Sequence, residues 1–261
     1  MVKNLDYGKF SNIGDLMPGF LDDIYELEHP IDVMYLMHKV YMKHSESVEN
    51  LSRSTQNGGD FELLAIQLTE WLDHIYYHTD TEDLYMTGPL KDKELHDGRM
   101  PLKENVIEHD IIRDSGKIAS DSIANINTIS PISYFSIKDV LSMEEKNHEI
   151  LMTKVNAVET ELEKMLGASK LDGTFRRHLY NQIVALKVAE YDHFENEEAF
   201  VLPMIKDQMT KLQQLECVEK LLFDEKSENS SWIYDFIETN LNQREADLLI
   251  SLKEEINKNI G

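Results

Sequence analysis

Residues 190–205 read EYDHFENEEAFVLPMI, and Leu186, Ala189, His193, Glu197, Phe200 and Met204 fall on one stripe with steps of three and four. Steps of that size mark one face of a helix. The stripe is apolar at both ends, so this helix aims an imidazole and a carboxylate at its own core. Buried charge needs a partner or a metal ion, and the stripe carries no basic side chain to supply one.

The same interruption recurs upstream. One stripe runs Ile31, Met34, His38, Tyr41, Ser45, Val48, and a second runs Leu64, Leu68, Trp71, Ile75, His78, Glu82, Tyr85. A third runs Ile137, Leu141, Glu144, His148, Leu151, Val155, Val158, Leu162, Met165. Each stripe contains a histidine, and two of the four also place a glutamate four residues after it. The segments YHTDTEDLYMTGP (77–89) and DHFENEEAFVLP (192–203) form an internal repeat: His, Glu at +4, an acid at +5, apolar residues, and a proline where the helix should stop. His38 precedes His78 by 40 residues and His148 precedes His193 by 45, so the unit of one histidine followed by His-x3-Glu occurs twice.

Helical periodicity predicts helices at about 31–54, 60–87, 103–126, 136–167, 173–212 and 229–258, with Asp60 and Ser136 as N-caps and Gly167 as a stop. Nearly heptad stripes on long segments predict an all-α fold, an antiparallel four-helix bundle with additional helices in the 90–135 insertion and at the C-terminus. The chain reads as a single domain over 1–261, with an arm (1–28), a core (29–210) and a helical extension (213–261). The last helix is amphipathic enough to close the bundle end or to pair two chains as a homodimer.

Composition narrows the function. The chain has 26 Lys+Arg against 49 Asp+Glu, a net charge of −23, which excludes a phosphate-neutralising nucleic-acid role. Cys217 is the single cysteine, so neither an internal disulfide nor a thiolate zinc site is expected. The start lacks a basic end followed by an apolar run, and no window nears the roughly 20 apolar residues of a membrane span. No membrane association and a cytoplasmic setting are the expectations.

Residues i and i+4 lie one turn apart on one helix face, so each His-x3-Glu offers both ligands to one site. Two such helices, with a histidine from each neighbouring helix, place four imidazoles and two carboxylates around one axis. Six ligands overfill a mononuclear site, whereas two ions bridged by the carboxylates use them all. Nitrogen and oxygen donors rich in imidazole favour iron.

These motifs together resemble the hemerythrin-like, or HHE cation-binding, superfamily. HPIDVMYLMHKV (29–40) resembles its first-helix motif, HTDTEDLYM (78–86) its second-helix His-x3-Glu, EEKNHEIL (144–151) its third, and HFENEEAFVLP (193–203) its fourth. The resemblance implies two iron ions, oxo- or hydroxo-bridged, held by His38, His78, Glu82, His148, His193 and Glu197, with Glu82 and Glu197 bridging. His74, one turn before His78, is the best additional ligand, and His109 in VIEHDII (106–112) also mimics the third-helix motif. Glu144 is expected to orient an imidazole, and Tyr35, Tyr41, Tyr77 or Tyr85 to bring a phenol near the metals. His44, His96 and His178 read as surface residues. The alternative Glu-x2-His unit of ferritin-like di-iron proteins is present at Glu145 and His148 but lacks its second copy, because Tyr35 stands at that place before His38. The family implies binding or sensing of dioxygen, nitric oxide or peroxide; the alternatives are an oxidoreductase acting on nitric oxide or peroxide, and an iron-storage or iron-sensing module.

Overall fold

A computed structural model describes residues 23–56, 58–59, 61–94, 137–166 and 173–260, and these are helical with short connections. The expected helix at 103–126, His109 and His96, the caps Asp60 and Ser136, and Gly167 lie outside the described residues.

The extended arm turns at His29, whose backbone N–H donates to Asp32 Oδ2 at 2.8 Å, and Pro30–Asp32 form a 3-10 turn. Helix α1 follows (Val33–Thr55), then a tight turn where Gly58 takes φ of +97°, a region that favours glycine. Helix α2 (Phe61–Thr81) continues through a π-helical segment (Glu82–Thr87) into α3 (Gly88–Glu94). Helix α4 (Ile137–Leu166) precedes α5 (Gly173–Asn196), which passes through a second π-helical segment (Glu197–Val201) into α6 (Leu202–Gln208). Three shorter helices finish the chain: α7 (Lys211–Leu222), α8 (Trp232–Asn240) and α9 (Gln243–Asn259).

The repeat prolines therefore do not stop their helices. A proline inside a helix removes a donor and crowds the carbonyl four residues back. Here Pro89 and Pro203 lie just beyond the widened turns, in which Thr87 Oγ1 donates to Glu82 O at 3.4 Å and Leu202 N–H to Glu197 O. Gly88 is sterically required: a Cβ there would meet the Asp83 carbonyl oxygen at 2.7 Å.

Two expected long helices are broken. The 173–212 segment ends at Met209, because Thr210 accepts from Gln213 N–H while Gln213 Oε1 accepts from Thr210 N–H, a reciprocal cap that starts α7. The 229–258 segment breaks at Leu241, where Asn242 Oδ1 caps α9 through Glu245 N–H at 3.1 Å.

Helix α1 packs on α2 and α5, and α4 packs on α5 and α2. The core has two apolar clusters. One gathers Met34, Val40, Met86, Leu141, Leu202 and Ile205 with the buried faces of α7, α8 and α9. The other gathers Val48, Leu64, Trp71, Leu151, Val158, Leu179 and Leu186. Helices α1 and α4 run from the first cluster to the second, and α2 and α5 run back, so successive long helices alternate in direction. The stripe histidines and glutamates lie between the clusters. Leu249, Leu252 and Ile256 bury the stripe of α9 within its own chain. Among the described residues no helix is long and apolar enough to cross a membrane.

Candidate metal centre

The six residues expected as ligands meet in one buried layer. His38, His78, Glu82 and Glu197 form one group and Glu82, Glu144, His148 and His193 another, with the ligand atoms of each group within 4.8 Å of one another. Glu82 belongs to both. Its Oε1 lies 2.8 Å from His78 Nε2, while its Oε2 lies 3.2 Å from His148 Nε2 and 3.5 Å from His193 Nε2. Glu197 Oε2 lies 3.1 Å from His38 Nε2 and 3.8 Å from both His78 and His193 Nε2, so it too faces both groups.

Glu144 is a member of the second group, where the sequence suggested an orienting role. Its Oε1 lies 3.0 Å from His148 Nε2, one turn on, and 3.4 Å from His193 Nδ1. The matching position of α1, one turn before His38, is Met34, so one group has a carboxylate where the other has a thioether.

The acid at +5 in the repeat has a role that sequence reasoning missed. Glu198 Oε1 lies 2.8 Å from His38 Nδ1, and Asp83 Oδ1 lies 3.3 Å from His148 Nδ1. Each repeat thus braces the lone histidine of the other half through the ring nitrogen turned away from the centre. Such outer carboxylates fix the tautomer and raise the basicity of a ligating imidazole. Their signal was already present as the duplicated acid, but its target lies on another helix.

Charge in the cluster is unsettled without a cation. Burial opposes protonation of His38, yet Glu197 and Glu198 outweigh it and lift the imidazole to about 10. Burial likewise opposes protonation of His148, and Asp83, Glu144 and Glu82 lift it to about 12. Burial holds His78 down to about 4 in spite of Glu82. Burial and the charge of Glu82 push Glu197 up to about 8. Fully buried Nε2 atoms of His38, His78 and His193, Glu82 Oε1, and both oxygens of Glu144 and Glu197 lack a hydrogen-bond partner of good geometry. Unpaired buried acceptors are costly. Convergent lone pairs on imidazole and carboxylate fit a cation.

Other candidates fall elsewhere. His74 is buried but belongs to neither group; its ring packs on Phe236 at 4.0 Å and Trp232 at 4.8 Å, and burial pushes it down to about 3. His44 corrects the surface reading: it is buried, because Phe236 of α8 closes over it at 5.2 Å. His178 is exposed as expected. Of the four tyrosines, Tyr41 reaches the site, its ring edge-on to His78 at 5.4 Å. Tyr77 donates to Lys220 O, Tyr35 sits by Lys206, and Tyr85 is exposed. Phe194 stacks flat on His38, with centroids 4.1 Å apart. Helix α7 lies against the first π-helical segment and brings buried Cys217 within electrostatic reach of Glu82 and Glu197.

Comparison with protein-family models, with curated proteins and with solved structures finds no match to this chain.

Proposed function

We propose that this chain is a hemerythrin-like four-helix bundle, built from α1, α2, α4 and α5, that holds two bridged iron ions and binds or senses a small ligand there: dioxygen, nitric oxide or peroxide. The observation that carries the reading is Glu82, whose two oxygens face two different histidine groups. A carboxylate in that posture suits a bridge between two cations better than a single ion.

When bound, an iron pair supplies reversible redox change and a coordination position for an exogenous ligand. The protein's part follows from its own residues. His38 and His78 would hold one ion, His148, His193 and Glu144 the other, and Glu82 and Glu197 would be shared by both. Glu198 and Asp83 hold the outer histidines in the tautomer that turns Nε2 inward. Phe194 and the two apolar clusters keep bulk water out. With Glu82 and Glu197 counted as shared, the side with Met34 keeps two ligands of its own and the other side three, which favours the former as the ligand-binding side. An oxidoreductase using the same centre on nitric oxide or peroxide, or an iron-storage or iron-sensing role, is the alternative.

The test is metal content per chain after expression with added iron, with optical spectra in air and after reduction. About two irons per chain, with near-ultraviolet oxo-bridge absorption that bleaches on reduction, is the expected result. A folded protein that takes up no metal would overturn the reading. Multiple turnovers with a reductant would favour the enzyme.

A further inference from the structure

A groove of about 910 Å³ runs between α2 and α8, and none of the residues gathered in the metal centre lines it. Its volume falls within the roughly 300–1,000 Å³ of small-molecule sites. Two buried histidines, His44 and His74, form its floor. His44 Nε2–H donates to Gln67 O at 3.1 Å. His74 is 1 % exposed, and its Nδ1 has no hydrogen-bond partner. The walls carry the half-buried rings of Trp232 and Phe236 from α8, both packed on the His74 imidazole. They also carry carboxylates on both sides: Glu70 and Asp73 of α2, and Asp235 of α8. Glu70 accepts from Gln67 Nε2 at 3.3 Å and Asp235 from the Ser231 hydroxyl at 2.7 Å, each through one oxygen. No lysine or arginine is among the lining residues.

We propose that this groove binds an organic ammonium ion carried on an aromatic or aliphatic body. Aromatic faces attract cations, tryptophan most strongly, and the carboxylates on both walls attract the same charge. An ammonium N–H donates to those carboxylate oxygens. The lone pair of His74 Nδ1 accepts a further N–H when the ring keeps its own proton on Nε2. The apolar body lies on Trp232, Phe236 and the exposed side chain of Ile66. An anion would meet only like charge in this groove. A second copy of the chain, with its net charge of −23, fits the acidic walls poorly for the same reason. A groove that merely separates two helices would need neither the unpaired imidazole nitrogen nor acids facing each other without a base.

Calorimetry on the full chain tests this with ligands that share one apolar body: tryptamine, a cation; tryptophol, which is neutral; and indolepropionate, an anion. Tryptamine should bind severalfold more tightly than tryptophol, and indolepropionate should not bind detectably. Asp73→Asn and Asp235→Asn, both at exposed positions, should each weaken tryptamine severalfold and leave tryptophol unchanged. Added salt should do the same, because exposed charges are screened. Trp232→Ala should weaken tryptamine and tryptophol together; should it fail to fold, the two carboxamide variants carry the test. Equal affinity for the amine and the alcohol, or unchanged tryptamine affinity in both carboxamide variants, overturns the proposal. So does a dimer in sedimentation that Trp232→Ala disperses, since a second copy would then fill the groove.

Discussion

In the proposed metal centre, His38 and His148 are the residues on which cation uptake should turn. Both imidazoles hold a proton at neutral pH while the centre lacks a cation, because their carboxylates lift them to about 10 and about 12. A ligating nitrogen must give that proton up. Metal uptake at pH 7 is therefore expected to release about two protons or more from these two rings, and affinity should rise with pH. Calorimetry in buffers of different ionisation enthalpy reads the proton count directly; uptake without release would contradict it. The bracing acids act on the same atoms. Glu198→Gln and Asp83→Asn should each lower metal affinity by about 10- to 100-fold in chelator competition, whereas Glu195→Gln, exposed on α5, should leave it unchanged. The stripes made the clustered histidines and glutamates legible, since periodicity shows which residues share a face. It cannot show which face a neighbouring helix presents, so Glu198 on His38 and Asp83 on His148 were invisible as pairs.

At the scale of elements, the two π-helical segments set the reach of Glu82 and Glu197, the carboxylates that face both groups. Glu82 and Glu197 are the first residues of those segments, and the braces Asp83 and Glu198 are the second. Extra residues in a helix, concentrated at functional sites, re-aim the side chains around them. Gly88→Ala forces its new methyl towards the Asp83 carbonyl, so it should disturb Glu82 and Asp83 together and reduce bound metal with little loss of helicity, read by metal analysis and circular dichroism. Full metal content in that variant would show that the turn is not under this constraint. The cap at Thr210 is simpler: Thr210→Ala removes an acceptor from an exposed helix start and should cost about 1 kcal/mol in denaturant unfolding. The TKLQ (210–213) and NQRE (242–245) cap signals were present in the sequence, yet apolar periodicity running across both breaks masked them. His44 read as exposed because its cover, Phe236, comes from a helix far along the chain.

Across the whole molecule, an ionic clamp ties the arm to the last helix. Glu245 is fully buried and accepts from Ile24 N–H at 3.1 Å and Lys39 Nζ at 2.5 Å, joining the arm, α1 and α9. Removing one partner of a buried pair leaves a poorly compensated charge, so Glu245→Ala should cost about 3–5 kcal/mol and loosen both the arm and α9 in hydrogen exchange. Protection unchanged at both ends would show the clamp to be idle. The crossed braces have a different consequence. Since Glu198 serves a histidine of the first half and Asp83 one of the second, neither hairpin contains a finished half-site. Each is a lock whose key is carried by the other, so in the proposed two-ion reading the first ion to settle should tighten the walls around the second. Loading is then expected to be all or none: at substoichiometric metal, filled and empty molecules should coexist and singly loaded ones should be scarce.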